Sequence, residues 1–206
     1  MMSNDQKGIA AAGAVLRHGG IVAFPTDTVY GLGAVCTDAR AVRRIFEAKG
    51  RPEEKPLSIL VSSISQVEAI AEGITQDARR LMEVFWPGAL TLIFRLQPAA
   101  QLPTEVTAGG RTIGVRMPDS DTAIQIIHAA GSPLAAPSAN LSGKRSASVA
   151  EEVAADLNGR IDLIIDGGAC PAGIASTVLD ISGSELRILR EGNVSLQMIR
   201  AALKKD

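Results

Sequence analysis

Histidine, cysteine and aromatic side chains are scarce in this chain, and each shortage removes a class of chemistry. His18 and His128 are the only two histidines in 206 residues. Both read as helix-surface or packing residues, so no Ser-His-Asp arrangement is proposed, and no histidine-based metal cage is visible. Cys36 and Cys170 lie far apart and form no CxxC pair, so they read as reduced thiols in the interior. One Trp, one Tyr and four Phe are too few for the stacking surface that single-strand nucleic-acid binders use. Charge is also balanced, with 21 Lys and Arg against 22 Asp and Glu, which argues against a general phosphate-backbone binder. Apolar runs such as Ile161 to Ile165 are too short to span a bilayer. The polar start, Met1 to Lys7, leads into no signal-peptide pattern. A cytoplasmic protein that needs no membrane is the expectation.

What the chain does have is a 46% apolar composition arranged in short periodic segments, enough to build a core and to exclude disorder. Helix-period stretches at Ile9 to Leu16, Ala39 to Lys49, Ala78 to Phe85, Ile124 to His128, Val153 to Leu157 and Leu196 to Leu203 alternate with strand-like runs. The strands are expected at Ile21 to Phe24, Leu57 to Val61, Leu90 to Leu96, Thr112 to Arg116, Leu134 to Ala136, Ile161 to Asp166, Thr177 to Leu179 and Leu186 to Leu189. Ser63 with Gln66, and Ser148 with Glu151, have the spacing of capping boxes. Interleaved strands and helices predict an α/β fold, with a final pair of strands free to run antiparallel. No repeat or linker divides the sequence, so a single domain over residues 1–206 is expected.

Three polar loops follow strands or helices in this pattern. Pro25 to Gly33 carries hydroxyls and glycines that permit close backbone approach to a ligand, or simply make a turn. It does not complete GxGxxG, because position 36 is Cys. Lys49, Arg51 and Lys55 place three cations within seven residues. They suit either a solvated turn at a helix end or a clamp on phosphate oxygens. Ala136 to Ser146 offers Ser138, Asn140, Ser142, Lys144 and Arg145 just after a strand, without matching GxxxxGK[ST]. Further on come Ser176 and Thr177, and two strand-ending arginines, Arg116 and Arg190. Cations, hydroxyls and backbone amides make a toolkit for holding substrates and stabilising phosphate charge, not for covalent catalysis.

These same loops resemble the YrdC family of threonylcarbamoyl-AMP synthases. The matching stretches are GGIVAFPTDTVYGLG, IFEAKGRPEEKPL, WPGALTLI, TIGVRMP, PLAAPSANLSG, ASTVLD and ILREG, and together they cover about residues 9 to 194. The resemblance implies an open, twisted, mixed β-sheet flanked by helices around a concave basic pocket. It implies a nucleotidyltransferase that converts L-threonine, bicarbonate and ATP into threonylcarbamoyl-AMP and pyrophosphate for tRNA modification. Magnesium would be carried by ATP, with no tightly bound cofactor and no resident metal. The product would pass to separate tRNA threonylcarbamoyl-transfer proteins, with weak RNA binding as an accessory expectation. By the same resemblance, Lys49, Arg51 and Lys55 form the catalytic basic signature. Arg51, Lys55, Thr112, Asn140, Ser148 and Arg190 would face ATP, and Thr28, Arg116, Ser138 and Ser176 would face threonine. Where longer members carry a threonine-contacting histidine, this chain has Leu60. Two other classes stay open at this point: a non-catalytic RNA-binding or ribosome-associated module, and a carbamoyl-adenylate-forming domain that starts from carbamoyl phosphate.

Overall fold

The computed structural model describes residues 1–183 and 185–204. The chain opens with strand β1 (Met2–Ser3), helix α1 (Gln6–Arg17) and strands β2 (Val22–Phe24) and β3 (Gly31–Val35). Helix α2 (Ala39–Lys49), strand β4 (Ser58–Leu60), helix α3 (Ile64–Ile70), strand β5 (Ala71–Glu72) and helix α4 (Gln76–Phe85) follow. Next come β6 (Leu90–Leu96), α5 (Thr104–Thr107), β7 (Thr112–Arg116), α6 (Asp121–Ala130) and β8 (Leu134–Ala135). The chain continues through α7 (Ala150–Leu157), β9 (Leu163–Asp166), β10 (Thr177–Asp180), β11 (Arg187–Arg190) and α8 (Leu196–Leu203). The strands join one mixed sheet in the order β1-β9-β2-β3-β8-β4-β7-β6-β10-β11, with β5 paired to β6.

Local chemistry sets the helix ends. Asp5, Asp38, Ser63, Thr75, Ser120 and Ser195 each accept a backbone N–H of the first turn, as N-caps do. Helices α2 and α6 stop where Gly50 and Gly131 take the left-handed conformation (φ 57° and 71°), which costs glycine little. At the first box Ser63 Oγ accepts from the Gln66 N–H (3.4 Å), but Gln66 Oε1 accepts from the N–H of Ser62 (2.8 Å), one residue before the N-cap. The second box is displaced by one residue. Glu152, not Glu151, reaches back to the Ser148 N–H (2.7 Å), because the helix starts at Ala150 and position N3 is therefore 152.

Side chains alternate across each strand, and that alternation gives the sheet two unlike faces. Ala23, Leu32, Ile59, Ile113, Val115, Leu92 and Leu179 point to one face. There they meet Val42 and Ile45 of α2, Leu81 of α4, Val153 of α7 and Ile199 of α8. Each such fully buried aliphatic side chain contributes roughly 1.5–3 kcal/mol. On the other face, Val22, Phe24, Leu134 and Ile165 pack under α1 and α6 through Leu16, Ile126 and Ile127. Gly13 lets those two helices approach, since a Cβ there would lie 2.5 Å from the Ala129 Cβ. Leu60 of β4 joins this cluster, and beyond it the face formed by β7, β6 and β10 borders a cavity.

Some elements depart from the sequence expectation. Gly31 to Val35 is strand β3 rather than loop, antiparallel to β2. Its alternation was masked because one face is glycine: Leu32 and Ala34 enter the core, while a Cβ on Gly33 would lie 2.7 Å from Phe24 Cε1. The short elements β1, β5 and α5 also went unexpected, being too brief to show a period.

Candidate active site

The sheet face that carries α1 and α6 also forms the floor of a cavity of about 320 Å³. Its floor follows the strand period: Ser58 and Leu60 of β4, Thr112, Gly114 and Arg116 of β7, Thr91 and Ile93 of β6, and Val178 of β10. Gly114 keeps the centre of the floor open, because a Cβ there would lie 3.2 Å from Ser58 Oγ and 3.4 Å from Thr91 Cγ2. The loops after β2, α2 and β8 form the walls, with Ala175, Ser176, Leu189 and Arg190 closing the far side. The cavity thus lies across a face of the sheet, bordered by the loops that follow β2, α2 and β8.

Arg116 organises one side. It is 5% exposed and donates through Nε to the Gly88 carbonyl and through Nη1 to Thr28 Oγ1, both at 2.8 Å. Nη2 is ion-paired with Asp27. Burial lowers the Arg116 pKa and the Asp27 carboxylate opposes that shift; guanidinium stays charged throughout. Two arginines of a different kind share the cavity. Arg51 Nε and Nη2 donate to the carbonyls of Lys55 (3.2 Å) and Pro56 (2.8 Å), folding the 51–56 loop around its own guanidinium. Arg190 donates to the Ser176 carbonyl (2.9 Å) and to Ser176 Oγ (3.1 Å). Among the described residues neither has a carboxylate partner. Burial depresses both pKa values, and the nearby Arg190 charge adds to the effect on Arg51. Arg51 is half-buried and Arg190 exposed, so both guanidiniums can offer charge-assisted hydrogen bonds to an anion in the cavity.

The eleven candidate residues divide. Thr28, Arg51, Thr112, Arg116, Ser138, Ser176 and Arg190 line the one cavity. Lys49 does not. It is 2% exposed, and its ammonium donates to the carbonyls of Ser138 and Asn140, both at 2.5 Å. It thereby ties the end of α2 to the 138–144 loop. Burial lowers its pKa to about 8, with Arg51 adding to the shift, while the two carbonyls favour the ammonium form. Lys55 is exposed on the loop around Arg51. Asn140 is buried behind Ser138, its amide turned inward on the loop. Ser148 bonds Glu152 at the start of α7, away from the cavity lining.

Several residues of the site carried no expectation of their own. Asp27 pairs Arg116. Thr91 Oγ1 lies 2.8 Å from Ser176 Oγ, and Thr26 bonds Thr28. An acid placed between two threonines at the end of an apolar strand was the available signal for Asp27. Leu60 lies on the cavity floor opposite Arg116 in the β4–β7 register, so the position is apolar here. Both cysteines are free and buried, and burial raises both thiol pKa values, that of Cys36 to about 11, which removes them as nucleophiles near neutral pH. Among the described residues no three His, Cys, Asp or Glu side chains group to hold a metal ion.

Comparison with known proteins adds to this geometry. The family model Sua5/YciO/YrdC, described as telomere recombination, matches residues 14–192. The chain belongs to the Sua5/YciO/YrdC family. Relatives within it include a threonylcarbamoyl-AMP synthase of Bacillus subtilis (strain 168), 48% identical over 202 residues, covering 98% of this chain and 58% of the relative. A Pyrococcus abyssi protein of the same name is 45% identical over 95% of this chain and 57% of its own length. The structure of P. abyssi Sua5 complexed with L-threonine superposes with a TM-score of 0.92 over 95% of this chain and 57% of that one. Escherichia coli YciO, 28% identical, gives a TM-score of 0.84 over 95% of this chain and 94% of its own. The chain thus spans a little over half the length of the curated Sua5/YciO/YrdC relatives from B. subtilis and P. abyssi.

Proposed function

We propose that this chain is a threonylcarbamoyl-AMP synthase, an ATP-dependent nucleotidyltransferase acting on L-threonine and bicarbonate. One observation carries the reading. A single cavity holds Arg51, half-buried, and Arg190, exposed, neither with a carboxylate partner among the described residues, together with the hydroxyl-lined pocket around Arg116. The first pair suits the phosphates of ATP, and the second suits a small zwitterion. The names of the similar proteins from B. subtilis and P. abyssi, and the threonine bound by the latter, support the same assignment.

In this reading the threonine amine adds to bicarbonate with loss of water, giving a carbamate. A carbamate oxygen then attacks the α-phosphorus of ATP, and the bond to the β-phosphate oxygen breaks to release pyrophosphate. Arg51 and Arg190 stabilise charge on the phosphates, and Thr112 lies on the floor beside them. Magnesium arrives on the ATP phosphates as part of the substrate. Arg116, whose orientation is fixed by Asp27, Thr28 and Gly88, offers its two remaining N–H groups to the amino-acid carboxylate. Lys49, expected among the catalytic residues, acts instead by holding the Ser138–Asn140 loop. Product would pass to tRNA threonylcarbamoyl-transfer proteins, and we place the reaction in the cytoplasm. No helix among the described residues is long and apolar enough to cross a membrane.

The test is pyrophosphate release by the purified chain with threonine and bicarbonate omitted in turn. Release should require both. Arg51→Ala and Arg190→Ala should each lower kcat/KM for ATP by about 10²-fold, the loss expected for a charge-assisted contact of a few kcal/mol. Undiminished release without threonine would overturn the reading.

A further inference from the structure

The cavity hydroxyls differ in where their protons go. Asn140 decides the case of Ser138. Its Nδ2 donates to the carbonyls of Leu141 (2.8 Å) and Lys144 (2.9 Å), which uses both amide protons and turns Oδ1 toward Ser138. The Ser138 hydroxyl donates to that oxygen at 2.5 Å. A hydroxyl has one proton and two lone pairs, so Ser138 has only lone pairs left for whatever enters the cavity.

Thr28 is in the same condition by a different route. Thr26 donates its proton to the Val29 carbonyl at 2.7 Å. Thr26 Oγ1 also accepts the N–H groups of Thr28 (3.1 Å) and Val29 (3.3 Å), and with its own proton spent only Thr28 can donate in the 2.9 Å contact between the two hydroxyls. Arg116 donates to Thr28 in turn, which leaves Thr28 one lone pair. The guanidinium groups of Arg51, Arg116 and Arg190 in the same cavity can only donate.

We infer that Ser138 and Thr28 act toward the ligand solely as hydrogen-bond acceptors, and that Asn140 and Thr26 are the positioning residues that commit their protons. The cavity then has a built-in polarity. A ligand must bring N–H or O–H donors to Ser138 and Thr28 and negative charge to the guanidinium groups. A carboxylate or phosphate oxygen against Ser138 would meet lone pair with lone pair, which disfavours it as an unpaired acceptor. The inference rests on the amino-acid reading above and deepens it: the amino group or side-chain hydroxyl faces Ser138, and the carboxylate does not.

Calorimetric binding of three ligands tests it: L-threonine, L-2-aminobutyrate, which lacks the hydroxyl, and (R)-3-hydroxybutyrate, which lacks the amine. Ser138→Ala should weaken L-threonine binding about tenfold, the worth of one hydrogen bond. The analogue missing the donor that Ser138 receives should change by less than about twofold, since it has no such bond to lose. Thr26→Val, which releases the Thr28 proton, should shrink the preference for L-threonine over one analogue by a similar factor, and Thr26→Ser should restore it. Equal weakening of all three ligands by Ser138→Ala, or no weakening, overturns the inference, and so does a wild-type chain that binds none of them. Should Thr26→Val fail to fold, Ser138→Ala decides alone. Pyrophosphate release by the wild type is scored separately. Its failure would overturn the catalytic reading, whereas the analogue pattern judges the proton assignment.

Discussion

Replacing Asp27 by alanine strands a buried cation, and the cost can be worked from its surroundings. Arg116 and Asp27 side chains are 6% and 13% exposed. Without the carboxylate, the guanidinium keeps only neutral partners, Thr28 Oγ1 and the Gly88 carbonyl. Removing one member of a buried pair costs about 3–5 kcal/mol, because the other charge is left without compensation. That is a large share of the ~5–15 kcal/mol that holds a domain folded. The Arg43–Glu105 pair is the internal control, with side chains 54% and 20% exposed, and pairs in such positions are worth only ~0.2–1 kcal/mol. Urea unfolding can be followed through Trp86, the single tryptophan, which is buried and donates to the Leu90 carbonyl. Asp27→Ala should lower the midpoint several-fold more than Glu105→Ala. Adding Arg116→Met to Asp27→Ala should recover part of the loss, since it removes the stranded charge. A loss from Asp27→Ala no larger than from Glu105→Ala, or a further loss on adding Arg116→Met, would show that Asp27 does not compensate a buried charge.

Three other perturbations probe separate parts of the structure. Gly114→Ala places a methyl on the cavity floor against Ser58 and Thr91; binding of threonine or ATP should weaken by about tenfold while stability changes by less than about 1 kcal/mol, as read by calorimetry and thermal unfolding. Gly13→Ala forces α1 from α6 at Ala129, and overpacking of about 1–3 kcal/mol should outweigh the ~1 kcal/mol gained in helix propensity, so the thermal midpoint should fall. Lys49 has a folded pKa near 8 against an ordinary 10.5. Between those values the unfolded chain binds a proton that the folded chain does not, so this group's contribution to stability rises with pH across that window and is lost as pH falls through about 8. Lys49→Met should abolish that increment in urea titrations at pH 7 and pH 10 (a window set by the ordinary lysine value of about 10.4), and an unchanged increment would show that the two carbonyls hold the ammonium charged.

Local sequence dictates most of the elements and the polar segments between them, while β1, β3, β5 and α5, too short or too glycine-rich to show a period, escape it. Helix caps, the Val42–Ile45–Phe46 stripe and the Ile113–Val115 alternation are local patterns, and the structure follows them because each is dictated within a few residues. The cationic and hydroxyl-bearing loops were legible for the same reason. Partnership was not. Arg116 and Asp27 are 89 residues apart, and only the sheet order that sets β7 beside β4 near the start of β3 brings them together. Lys49 has the composition of a phosphate ligand, yet its place at the buried end of α2 directs its ammonium to backbone carbonyls 89 and 91 residues away. The site's location across a face of the sheet depends on a strand order that brings β4, β7, β6 and β10 together, which no window of sequence contains. Local periodicity encodes which side of an element is apolar, whereas the neighbour it meets, and the charge left without a partner, emerge only when distant segments pack.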